Sequence, residues 1–135
     1  MMLEGSQHSA SISWVREDLD DCLESVRDKL EEFAEDTSQR ESLVAVQEEL
    51  ERLNLTFLTM EQQGASILTD EMIAVGGYML HDSNANFHES LNALTDAVIV
   101  LPSYLDRLQA GHEDLPILLL PTLNELRASY DESLM

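Results

Sequence analysis

Lysine is almost missing from this chain: Lys29 stands alone beside six arginines, against 27 aspartates and glutamates, and the formal net charge is −20. Nucleic acids and anionic membrane surfaces are bound largely through lysine and arginine neutralising phosphates, so both are excluded as partners. The partners such a surface selects are proteins with basic patches, although a salt-adapted source would leave the same composition. Cysteine is as scarce. Cys22 is alone, so no internal disulfide can form, and its place on an apolar helical stripe marks it as a small buried hydrophobe in a cytoplasmic protein. Long hydrophobic runs are lacking too, and without ~20 consecutive apolar residues the chain has no segment to insert in a membrane. Residues 1–10 lack a basic segment followed by an apolar run, which excludes a signal peptide or anchor; they are expected to be a disordered tail or an expression remnant.

What is present is helical periodicity. With 135 residues, 44% of them hydrophobic, the chain is too apolar for disorder and has the size of one domain, expected over residues 11–135. Apolar residues recur at threes and fours almost throughout, which is the period of helices and not of strands. The first helix is expected from residue 11 to 34, with Ser11 or Ser13 as N-cap and a stripe of Ile12, Val15, Leu19, Cys22, Val26, Leu30 and Phe33. A second, capped by Thr37 or Ser38, carries Leu43, Val46, Leu50, Leu53, Phe57 and Met60. Leu55 and Leu58 lie off that stripe, which predicts that its second half sits near the bundle centre. Gly64 marks a break or a close contact ahead of a shorter helix seamed by Ala65, Leu68, Met72, Val75 and Met79, frayed at Gly76-Gly77. After a loop at 81–86 comes a fourth helix with Phe87, Leu91, Leu94, Val98, Leu101, Leu105 and Leu108, kinked by Pro102 and stopped by Gly111. Pro116 opens a fifth with Leu119, Leu123, Leu126 and Tyr130, bent by Pro121. The fold class is therefore all-α: an antiparallel up-and-down helical bundle with about five helical segments.

Chemistry is hard to place on this pattern. The histidines His8, His81, His88 and His112 lack zinc-type spacing; His81 and His88 with Asp82 or Glu89 are better read as solvated residues at a helix start than as a metal site. There is no phosphate-binding glycine loop and no nucleophile motif, so no catalytic residue and no cofactor is assigned. Acidic pairs such as Glu17-Asp18 and Glu31-Glu32 fall between stripe positions, as a solvated helix face requires. The informative excess is apolar. Ile117 and Leu120 project away from the seam of the fifth helix, with Leu118 between them, and form either a surface covered by another segment, the expected case, or a partner-binding patch steered by Glu113 and Asp114.

The stretches Leu53-Asn54-Leu55-Thr56-Phe57, Gly64 to Met72, Trp14-Val15-Arg16-Glu17, Leu101 to Arg107, and Asp114-Leu115-Pro116 through Leu123-Asn124-Glu125-Leu126-Arg127 together carry a family resemblance. In order and spacing they resemble histidine phosphotransfer (HPt) domains, and more closely the N-terminal helical segment of ChpA/PilL-type CheA-like kinases of type IV pilus chemosensory systems and the related FimL proteins. Trp14-Val15-Arg16 favours the kinase N-terminus, which would make the chain part of a CheA-like histidine kinase. An active HPt site has H-x-x-K-G and a further glycine ten residues after the histidine; anchored on Gly64, the family's histidine, lysine and glycine fall on Asn54, Phe57 and Leu58. The resemblance therefore implies a degenerate phosphotransfer site, since an amide nitrogen cannot act as the imidazole nucleophile. It further implies a non-catalytic interaction domain in a two-component pathway regulating type IV pili and twitching motility, with a response regulator or polar pilus scaffold as partner. Two alternatives stand beside it: an active phosphotransfer domain using a displaced His88, and an unrelated acidic helical adaptor. The oligomeric state is not legible.

Overall fold

The computed structural model describes the backbone of residues 3–81, 87–113 and 116–134, and the side chains of residues 12–81, 88–113 and 116–129. Five α-helices follow in order: α1 (Leu3–Glu35), α2 (Arg40–Thr59), α3 (Gln63–His81), α4 (Phe87–Gln109) and α5 (Leu120–Leu134), the last entered through a 3-10 turn at Pro116–Leu119. Among the described residues there is no strand. Each of the first four helices packs on its neighbours in the chain, and α1 also packs on α4, so the four close into a ring. Contacts fix the directions: Cys22 meets Glu49 and Glu32 meets Ser42, so α1 and α2 are antiparallel. Gln47 with Ile73 and Asn54 with Ser66 show the same for α2 and α3. α5 lies along α3 and α4, outside the ring.

The stripes read from the sequence form one core. Leu19, Val26, Leu30, Phe33, Leu50, Leu53, Phe57, Leu68, Met72, Leu94, Leu101, Leu105, Leu123 and Leu126 are all buried in it, while Val15, Cys22, Met60 and Leu91 pack half-buried at its edge. Leu23, Ala93, Ala97 and Tyr104, which the stripes omit, are buried as well. The side chains of Phe87 and Tyr130 lie outside the described residues.

Several expected boundaries are displaced. α1 begins at Leu3 and not at residue 11; Ser13 is therefore inside the helix, and the side chain of Ser11 lies outside the described residues. Neither Thr37 nor Ser38 caps α2. The N-cap is Gln39, which makes no side-chain capping bond, while the hydroxyl and N–H of Ser38 both donate to Asp36 Oδ1, at 2.6 and 3.0 Å, in a turn built on the preceding helix end. These donors hold the Asp36 carboxyl below its ordinary pKa. α3 does not fray at Gly76-Gly77 but runs to His81. Gly76 is buried where the Gln47 side chain of α2 lies against α3: the Gln47 amide donates to the Ile73 carbonyl at 2.9 Å, and a Cβ on Gly76 would lie 2.1 Å from Gln47 Oε1. Gly64 sits buried in the first turn of α3. Pro121 does not bend α5, because as its second residue it occupies the first turn, where an N–H has no helical partner anyway.

The turn after α2 lies at Glu61, ahead of Gly64. Glu61 N–H donates to Leu58 O at 3.1 Å and Gln62 N–H to Phe57 O at 2.8 Å, the two bonds of a Schellman motif. α4 ends the same way, with Gly111 N–H on Leu108 O at 3.1 Å and His112 N–H on Arg107 O at 3.0 Å. The left-handed position holds glycine in one case (Gly111, φ +92°) and glutamate in the other (Glu61, φ +59°). Left-handed backbone costs a residue with a Cβ roughly 1 kcal/mol. Glu61→Gly should accordingly stabilise the domain by about 0.5–1 kcal/mol in urea unfolding; a loss of stability would show that the glutamate side chain has a role of its own there.

Candidate protein-docking surfaces

Asn54, Phe57 and Leu58 do not form one surface. Phe57 is fully buried in the core, whereas Leu58 is 57% exposed. One helical turn earlier, Asn54 uses both ends of its amide: Nδ2 donates to Asp70 Oδ1 at 2.8 Å, and Oδ1 accepts from Ser66 Oγ at 2.7 Å. This ties α2 to α3 and leaves no nucleophile at the position. Ser66 and Asp70 were not singled out in the sequence. They become legible once the turn is placed at Glu61, since antiparallel pairing about that turn sets residue 54 opposite 66 to 70. Leu55 is also exposed, so the second half of α2 does not sit at the centre of the bundle. That place belongs to α3, which packs against α2, α4 and α5, and its apolar sequence suits it.

The 3-10 turn presents the apolar patch in the open. Ile117 is 71% exposed, Leu118 46% and Leu120 44%, while Leu119 is buried, so the expectation that this surface is covered does not hold. Three residues per turn send Ile117, Leu118 and Leu119 in three directions about the axis, and only one of the three can face the core. Exposed Glu113 lies just ahead in the chain; Asp114 lies outside the described residues.

Two arginines tie neighbouring helices together. The Arg16 guanidinium reaches Asp20 and Asp106, both at 2.8 Å, and donates to Gln109 Oε1 at 3.0 Å, joining α1 to the last turns of α4. Burial works against its charge, but the two carboxylates outweigh it and raise its pKa. Arg127 of α5 pairs with Glu71 of α3 at 3.4 Å. On α4 and α5, Asp96 and Glu125 share a hydrogen bond; partial burial first, then this bond, raise the Glu125 pKa. Cys22 is half-buried, and its thiol donates to Glu49 Oε2 at 2.9 Å. Burial and the Glu49 carboxylate push that thiol up to about 12, so it stays protonated and is a poor nucleophile.

His88 is exposed in the first turn of α4, with its Nε2 3.4 Å from Asn92 Nδ2. His81 is exposed in the last turn of α3; Asp82 lies outside the described residues. Among the described residues no cluster of histidine, cysteine and carboxylate ligands gathers to hold a metal, and no helix is long and apolar enough to cross a membrane.

A family model described as the FimL C-terminal domain matches residues 6–122. The scaffold protein FimL of Pseudomonas aeruginosa is 29% identical over 121 residues, which cover 90% of this chain and 22% of that protein. The chain thus spans less than a quarter of the length of this curated relative. Both matches are to FimL, and neither is to the kinase N-terminus that Trp14-Val15-Arg16 favours in the sequence. No solved structure matches.

Proposed function

The chain belongs to the FimL C-terminal domain family, and on that premise we propose that it is a non-catalytic docking domain that holds a protein partner on the patch of Ile117, Leu118 and Leu120. The observation that carries this reading is the exposure of three large aliphatic side chains within four residues, on a chain whose surface is otherwise crowded with carboxylates. Burial of those side chains supplies the affinity, and the acidic surround steers a basic partner surface onto them. The relative's description as a scaffold protein agrees with a role in binding. We place the domain in the cytoplasm, in a two-component chemosensory pathway regulating type IV pili and twitching motility, with a response regulator or a polar pilus scaffold as partner.

Leu120→Glu tests the patch. Binding of the purified candidate partners should weaken at least about tenfold, the scale of losing one apolar anchor, with circular dichroism and melting temperature unchanged. Undiminished binding at unchanged stability would remove the patch from consideration.

The same reading predicts that the domain takes no phosphate. Incubated with an active cognate kinase and labelled ATP it should stay unlabelled, and Asn54→His alone should not restore transfer, because the positions of the lysine and glycine remain Phe57 and Leu58. Acid-labile, base-stable label that disappears in His88→Gln would instead establish the phosphotransfer alternative.

A further inference from the structure

α5 fills the groove between α3 and α4, but on the other side of the ring no described element of the chain lies over the groove between α1 and α2. That groove is open, with a volume of about 460 Å³. Half-buried Val15 and the outer edges of the core residues Leu19 and Leu53 form its narrow apolar floor, and its walls carry Asp18, Asp21 and Glu49. Glu49 is partly engaged with Arg52 across a 3.4 Å ion pair, so the walls keep a net negative charge. Trp14 stands one turn before Asp18 on the same face of α1 and is 88% exposed. Trp14 does not line the groove itself, but its indole, open to water one turn beyond it, offers a large apolar face to whatever lies along that side of α1.

We propose that the α1–α2 groove seats a single cationic, amphipathic helix of a partner protein. The floor around Val15 meets the leucine-type side chains of such a helix, the wall carboxylates meet its lysines and arginines, and Trp14, one turn beyond, packs on its end with a face suited to a cation. A second copy of this chain is a poor occupant, since each copy carries a net charge of −20 and seven basic residues in all. The site is separate from the patch on the 3-10 turn, which lies across the ring on the α3 and α5 side. Two surfaces on opposite sides would let the domain bridge two proteins.

Trp14 is the chain's one tryptophan, so its emission reports on this site alone. The probe is a synthetic peptide of about 18 residues, ~five helical turns, made of leucine and lysine with the leucines on one face and no aromatic residue. Titrated into the whole chain, it should shift the Trp14 emission to the blue in a saturable way. Asp18→Lys with Asp21→Lys, both on the exposed wall, should weaken binding at least about tenfold. Trp14→Ala, followed by anisotropy of a labelled peptide, should also weaken it, while Leu120→Glu should leave it unchanged. Equal binding by a scrambled peptide of the same composition would reduce the effect to bulk charge and overturn the proposal. So would an unmoved Trp14 emission, or wild-type affinity in the charge-reversed variant. Because Leu120→Glu acts on the other surface, failure here and failure of the 3-10 patch are read separately.

Discussion

Phe57→Lys should destabilise the domain by at least about 3 kcal/mol in urea unfolding, because it removes a phenyl ring that is fully buried. Truncation of a buried Phe alone costs roughly 3–5 kcal/mol, and an ammonium in the same place must either shed its proton or drag its stem to the surface. Set against a typical total of about 5–15 kcal/mol for a domain, this is a large share. The experiment bears on the degenerate phosphotransfer site as well as on stability. A motif lysine has to reach a phosphate in solvent, and at position 57 the helix points inward, so the motif cannot be rebuilt here by substituting its residues one for one. A loss below about 1 kcal/mol would mean that the ring is less confined than its burial indicates.

Leu94→Ala and Leu50→Ala should each cost about 2–5 kcal/mol, since both side chains are fully buried, on α4 and α2, and each truncation leaves a cavity. Chemical denaturation with an unchanged m-value is the measurement. Values near zero for either would place the seam of that helix on the wrong face.

The seams were legible because burial on a helix repeats every three or four residues, and Leu43, Val46, Leu50, Leu53 and Phe57 announce one inward face without any knowledge of neighbours. Direction outward was not. Leu55 and Leu58 look like core residues of a central helix, and only the packing of α3 against α2, α4 and α5 shows that the centre lies elsewhere. The turn at Glu61 was hidden for a different reason: left-handed backbone favours glycine, and the nearest glycine, Gly64, drew the boundary three residues too late. Gly76 misled in the opposite sense, because a glycine permits close approach inside a helix as readily as it ends one. Of the candidate surfaces, the apolar excess at Ile117, Leu118 and Leu120 could be read from the chain, but its exposure depends on a 3-10 geometry that periodicity does not reveal. The α1–α2 groove was invisible, being defined by what does not lie over it.

The contacts of Arg16 with Pro102 and Gln109 join residues 86 and 93 positions apart, whereas α1 with α2 and α2 with α3 are hairpins of adjacent helices. Closing a short loop costs less chain entropy than closing a long one, so the hairpins can form early and the α1–α4 seam last. Contacts made after the transition state govern how fast a protein unfolds and have little influence on how fast it folds. A clamp closed last would act as a kinetic latch: Arg16 would then bear on how long the ring stays closed more than on how fast it closes.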